Sequence, residues 1–175
     1  MAAVKVREAR PEDARAVEQI RVDGWRKAYR GLLPADLLAD LVVVDDRVSA
    51  LVAAFARPEP HDINLVAEQE GVVLAMARLC GSRDGDASAE AVAELRALYV
   101  APRSWSGGLG GRLLDEGFAR MPQPVQVLWT LEGNTRARGF YERRGFVLDG
   151  AQRIREITGS AVEVRYRHDG PTASR

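Results

Sequence analysis

One cysteine in 175 residues leaves Cys80 without a partner in its own chain. That excludes a disulfide framework and fits a reducing cytoplasm. Cys80 closes an apolar run, which reads as buried filler rather than as a nucleophile. The two histidines, His61 and His168, fall at a loop and at a strand end with no other ligating residues beside them, so no metal site is expected. No apolar stretch approaches the roughly 20 residues of a membrane-spanning helix, and the opening MAAVKVREARPED has none of a secretion signal's apolar core. A cytoplasmic protein that engages no membrane is the expectation. Net charge is also absent, since 25 basic residues balance 25 acidic ones. The balance is uneven, however: residues 1–93 carry 12 basic against 16 acidic side chains, a net of −4, while residues 94–147 carry 8 arginines against 5 acids, a net of +3. A nucleic-acid surface needs a strong basic stripe, so no nucleic-acid partner is expected. The local positive excess suits a small anionic ligand instead.

Neither a repeat nor a linker divides the chain, and 46% hydrophobic with 29% charged residues is an ordinary globular composition. One domain over residues 1–168 is expected, followed by a frayed tail at 169–175. Apolar and polar residues alternate at 4–8, as in a half-buried strand. Pro11 then opens a helix whose Ala14, Val17 and Ile20 share a face. Residues 24–34, GWRKAYRGLLP, form an aromatic and basic segment between glycine and proline breaks. A second helix over 45–55 sets Val48, Leu51, Val52 and Phe55 at core-facing spacing. INLVAE and VVLAMARLC read as a hairpin turning at Glu70-Gly71, and residues 81–91 as a polar loop. A strand over 92–100 is stopped by Pro102, a helix runs to about residue 121, and a strand follows at 125–131. A short helix ends at Gly145, and two strands close the order near 146–155 and 161–168. The pattern predicts a single α/β domain of α+β type.

Between the strand at 92–100 and the helix after it lies RSWSGGLGGRLL, with four glycines in five positions. Glycine inside a helix costs about 1 kcal/mol relative to alanine, so the cluster asks for a reason. Bare backbone at a helix N-terminus can approach a phosphate and donate N–H groups to it; a flexible loop that merely precedes a helix is the other reading. Two familiar phosphate loops fail on spacing. Gly111 is followed by Arg112 and Leu113 rather than by Lys and Ser/Thr, and a dinucleotide fingerprint begun at Gly108 meets Leu113 where its last glycine belongs.

LYVAPRSWSGGLGGRLL followed by EGNTRARGFYERRGF resembles the GNAT superfamily of acetyl-CoA-dependent N-acetyltransferases. Gly108 and Gly110 match the glycines of that superfamily's Gln/Arg-x-x-Gly-x-Gly/Ala signature, with Trp105 where Gln or Arg is usual. Asn134, Ala137, Phe140, Tyr141, Gly145 and Phe146 match its second signature. Element order agrees from Val4 to about His168, so the resemblance implies a GNAT-like domain with a mixed, mostly antiparallel sheet of six to seven strands flanked by helices. The segment WRKAYRGLLP resembles an N-terminal stretch of one bacterial branch.

What the resemblance implies for function is acetyl transfer from acetyl-CoA to a primary amine, on a small molecule or a protein, by direct attack in a ternary complex and without a metal. A non-catalytic acyl-CoA-binding or sensing module of the same fold is the alternative, and a homodimer is common in the superfamily. The diphosphate would take N–H donors from Ser106, Gly107, Gly108, Leu109, Gly110 and Gly111, with Arg103 or Arg112 adding charge. The pantetheine arm would pair with the backbone of Leu98, Tyr99 and Val100, with an N–H near Leu98 meeting the thioester oxygen. Glu94, four residues before Leu98 and so expected on the same strand face, is the candidate base, acting through water, or else a solvated strand-end carboxylate, with Glu90 as a substitute. Tyr141 is the candidate acid for the leaving thiolate. Asn134 would bond pantetheine or cap the next helix. Trp25 and Tyr29, four residues apart, would line the acceptor pocket or belong to the core. Trp105 is expected to pack beside the adenine or the pantetheine arm.

Overall fold

A computed structural model supplies the fold and describes residues 3–85 and 88–170; the expected tail lies outside them from residue 171 on. Seven strands form one sheet: β1 (Lys5–Glu8), β2 (Ile63–Gln69), β3 (Val72–Gly81), β4 (Val92–Val100), β5 (Val125–Leu131), β6 (Val147–Ile154) and β7 (Val162–His168). Their order is β1-β2-β3-β4-β5-β7-β6. Every pairing is antiparallel except β4 with β5. That single parallel pair needs a crossover, and the crossover is the glycine loop with its helix.

Five helices flank the sheet: α1 (Ala14–Ala28), α2 (Ala35–Asp40), α3 (Asp45–Ala56), α4 (Leu109–Arg120) and α5 (Thr135–Glu142). Ahead of α1, Pro11–Asp13 makes a short 3-10 turn with Pro11 in its first turn, where a missing N–H goes unnoticed. Ala14, Val17 and Ile20 are buried together as the spacing requires. Gly24 does not interrupt α1, which continues through Trp25 to Ala28. The buried face around Gly24 and Trp25 outweighs a glycine cost of about 1 kcal/mol. In α3, Phe55 is buried and Val48 and Leu51 half-buried, but Val52 points outward at 38% exposure.

Two cores lie on opposite sheet faces. Leu113, Leu114 and Phe118 of α4 pack on Leu65, Ala77, Leu79, Ala93, Leu95 and Leu128. On the other face Val17 and Ile20 of α1 and Phe55 of α3 meet Val66, Val73 and Met76. Leu113, Leu65 and Leu79 have no exposed surface, and each contributes about 1.5–3 kcal/mol of burial. A third cluster gathers Trp25, Leu33, Leu38 and Leu131, with Tyr29 and Tyr99 packed against it.

Candidate active site

The parallel pair stops early. Val92 to Leu95 of β4 pair with Val125 to Leu128 of β5, and beyond them the strands part. The cause is a bulge in β4: Arg78 opposes Ala97 and Leu79 opposes Leu95, so Arg96 is an extra residue without a partner on β3. A bulge bends its strand and shifts the alternation of side chains by one. Ala93 and Leu95 face α4, and beyond the bulge Leu98 and Val100 do so, while Ala97 and Tyr99 turn to the α1 and α3 side. Glu94, alternating with Ala93 and Leu95, therefore lies on the opposite face from Leu98, and not on the same face as the four-residue spacing predicts. The fork opens a cleft of about 620 Å³ that runs between the two faces, from Trp25, Tyr29 and Trp129 to Gly108, Phe140 and Tyr141.

Backbone in the fork is free for a ligand. Ala101 N–H bonds the Leu74 carbonyl at 2.8 Å. In antiparallel alternation Tyr99 then also turns its polar groups to β3, whereas Leu98 and Val100 turn theirs to the cleft. Val100 gives its carbonyl to the Trp105 indole N–H at 2.8 Å. Leu98 is thus the strand residue with both groups available, and Tyr99 contributes its ring instead. Trp105 ties the glycine loop to the end of β4, and Lys27 and Arg136 stack on its ring at 4.9 and 4.4 Å.

Within the loop, Ser106 and Gly108 take left-handed φ values of 67° and 77°, and at Gly108 only glycine does so without strain. Gly108 is the N-cap of α4 and offers no side-chain cap. The N–H groups of Leu109, Gly110 and Gly111 belong to the first turn, which has no intrahelical acceptor for them. Gly107 turns its N–H back to Ser104 at 3.4 Å instead. At Gly111 a Cβ would collide with the end of the Arg144 side chain. Arg144 crosses the helix start, stacked on Phe140 at 4.1 Å. It lines the cleft with Arg136 and Arg143, and none of the three has a carboxylate partner among the described residues. Arg112 points instead into a hollow beside Val4 and Val6, on the far side of α4, and Arg103 does not line the cleft. Arg136, Arg143 and Arg144 stand in TRARGFYERRG, a segment whose charges carry no sequence mark that sets a cleft-lining arginine apart from a solvated one.

Tyr141 lines the cleft, buried to 8% exposure among Phe140, Phe146 and Tyr166. Burial pushes its phenol well above the usual range, so the hydroxyl keeps its proton, and no hydrogen bond engages it among the described residues. Asn134 caps α5, its Oδ1 accepting from the Ala137 N–H at 3.2 Å, while its side borders the cleft. Glu94 is buried; its carboxylate accepts the Arg83 N–H at 3.2 Å and lies 3.8 Å from Arg96. Glu90 is exposed and hydrogen-bonded to Ser88, away from the cleft. Trp25 and Tyr29 meet edge to face with centroids 5.1 Å apart, and both wall the cleft while anchoring the third core cluster. Trp25 Nε1 is buried without an acceptor, aimed at the Tyr99 phenol. Cys80 is buried, and desolvation with Glu94 beside it pushes its thiol up. No group of three or more metal-ligating side chains occurs among the described residues, and none of their helices is long and apolar enough to cross a membrane.

The profile of the Acetyltransferase (GNAT) family matches residues 22–146. A probable N-acetyltransferase of Mycobacterium tuberculosis is 29% identical over 153 residues, covering 84% of this chain and 82% of its own. Among solved structures, the PaiA N-acetyltransferase of Thermoplasma acidophilum in complex with coenzyme A superposes with a TM-score of 0.76 at 18% identity, covering 95% of this chain and 99% of its own. YncA of Salmonella typhimurium, a putative acetyltransferase with its cofactor acetyl-CoA, gives 0.68 at 22% identity, covering 98% and 97%. Their likeness is one of fold.

Proposed function

The chain belongs to the GNAT acetyltransferase family, and from that premise we propose that it transfers an acetyl group from acetyl-CoA to a primary amine in a ternary complex. The observation that carries this reading is the fork. It opens on one face to unpartnered amides at the start of α4 and three arginines without carboxylates, and on the other to an aromatic pocket, with a protonated phenol beside the path. The phosphates of CoA bring several negative charges, which suit the N–H groups of Gly108, Leu109, Gly110 and Gly111 together with Arg136, Arg143 and Arg144. PaiA and YncA were solved with coenzyme A and acetyl-CoA respectively, which supports the same ligand here.

In this reading pantetheine lies along the free edge of β4 at Leu98, beside Asn134, and the Leu98 N–H meets the carbonyl oxygen as it gains charge. An alkylammonium loses its proton near pH 10.4, so the acceptor needs a base before it attacks. Glu94 takes that proton through water, from behind Arg96. The C–N bond forms, the C–S bond breaks, Tyr141 gives its proton to the departing thiolate, and the proton shed by the new amide nitrogen restores the phenol. The acceptor, a small molecule or a protein amino group, enters past Trp25 and Tyr29.

Tyr141→Phe keeps the ring and removes the proton. In single-turnover measurements the transfer rate should fall about 10²- to 10⁴-fold, while CoA affinity shifts little, one hydrogen bond being worth about 1 kcal/mol net. A folded Tyr141→Phe protein with the wild-type rate would leave Tyr141 as packing. Run beside it, Glu94→Gln should lose most activity at low pH, and a pH–rate profile unchanged from wild type would remove Glu94 as base.

A further inference from the structure

Four arginines line the cleft, and three of them stand on α5 or the turn after it, beside the glycine loop. The fourth is Arg96, the unpaired residue of the β4 bulge. It lies at the crotch of the fork, where β4 and β5 part after Leu95 and Leu128. Its guanidinium has five N–H donors, yet no hydrogen-bond acceptor reaches it among the described residues. The contact with Glu94 is 3.8 Å long, against 2.7 Å for Arg7 with Asp13 and 2.6 Å for Arg21 with Glu18. The Arg96 side chain is 34% exposed. A cation placed in a cleft wall with its donors unengaged is a recognition group waiting for an anion.

The anion is not the cofactor's. From the alternation of β4 and β5, Arg96 opens on the face of Tyr99 and Trp129, opposite the glycine loop. On that face the cleft walls include four aromatic residues, Trp25, Tyr29, Tyr99 and Trp129. Trp129 is fixed there, its indole N–H donating to Asp84 and its ring covered by Arg153 at 4.0 Å. Behind Arg96, at 3.8 Å, lies the buried carboxylate of Glu94, which does not itself line the cleft. A ligand with an ammonium and a carboxylate on one carbon suits this arrangement, its carboxylate on Arg96 and its ammonium on the side of the negative charge behind it.

Building on the acetyl-transfer reading above, we propose that Arg96 anchors a carboxylate of the acceptor, so that the acceptor is an α-amino acid carrying an apolar or aromatic side chain. Aromatic walls hold the side chain by burial, and Arg96 sets the amine against the thioester.

L-phenylalanine and phenethylamine differ by that carboxylate and serve as the probes. Each is titrated calorimetrically into the CoA complex and supplied with acetyl-CoA in a CoA-release assay. Wild type should favour phenylalanine about ten- to a hundredfold, the range of a charge-assisted hydrogen-bond pair. In Arg96→Gln the ratio should collapse toward one, and Arg96→Lys should keep part of it. Phenethylamine binding as well as phenylalanine, a ratio that survives Arg96→Gln, or no binding of either compound would each overturn the assignment. The two readings fail separately. Phenylalanine that binds with the expected preference but releases no CoA sinks acetyl transfer and leaves Arg96 as a carboxylate anchor. Release with phenethylamine alone does the reverse. Should Arg96→Gln misfold by circular dichroism, the wild-type ratio still decides.

Discussion

Gly111 and Arg144 act as one unit, although 33 positions of sequence separate them. At Gly111, the third position of the helix, a Cβ would meet the Arg144 guanidinium, and the arginine would have to move aside. That guanidinium has no carboxylate partner among the described residues and rests on the Phe140 ring, a cation–π contact worth about 0.5–2 kcal/mol. If Arg144 meets a phosphate of CoA, Arg144→Gln should weaken CoA binding about ten- to a hundredfold. Gly111→Ala should also weaken it, because the new methyl group drives Arg144 from its seat. The two losses should not add: in an Arg144→Gln background, Gly111→Ala should cost far less than in wild type. Calorimetric affinities for the four proteins close this cycle. Additive losses would mean that Gly111 serves its own contact, either through its amide or with the diphosphate, and not Arg144.

At the scale of elements, α1 and α3 are joined by ion pairs of very unequal value. Arg15 and Asp45 meet at 2.6 Å, but both are well exposed, so the pair is worth at most about 1 kcal/mol. Glu18 is 1% exposed and takes both Arg21, from its own helix, and Arg47 of α3. Removing Glu18 leaves the buried Arg21 charge without its partner, which costs about 3–5 kcal/mol. Urea unfolding should therefore show Glu18→Ala destabilised by that amount, and Asp45→Ala by less than 1 kcal/mol. Comparable losses in the two variants would show that solvent reaches Glu18 as freely as Asp45. Elements of this kind were largely legible in the sequence. All seven strands and four of the five helices follow from periodicity, capping and glycine or proline punctuation. The six-residue α2 did not, because Ala35–Asp40 is too short to display a helical period. Of the candidate site residues, Gly108, Asn134 and Tyr141, which a motif marks, line the cleft. The site was obscure where geometry depends on partners. A bulge leaves no compositional mark, so the face of Glu94 could not be counted from Leu98, and the place of Arg96 at the fork could not be foreseen.

Across the whole molecule, the phenols tie the cleft to stability. The chain has four tyrosines, and burial raises every one: Tyr29, Tyr99 and Tyr141 around the fork, and Tyr166 behind them, where hydrogen bonding to Glu142 raises it further. In the unfolded chain each ionises near pH 10. A folded pKa above the unfolded one leaves stability intact below pH 10 and removes it as pH climbs beyond, since the unfolded state then releases the proton that the folded state holds. Each such phenol takes away up to about 1.4 kcal/mol per pH unit above that point. Three or four acting together, against a total stability of about 5–15 kcal/mol, should unfold the domain within about one to three pH units. Ionisation and unfolding should then be one event. In an alkaline titration, tyrosinate absorbance should rise together with the loss of far-ultraviolet circular dichroism, along a single steep curve. Two or more phenolates appearing while the dichroism holds would mean that water enters the fork and solvates Tyr99 and Tyr141 in the folded state. A single coincident curve instead means that the Tyr141 hydroxyl stays protonated throughout the range in which the protein is folded.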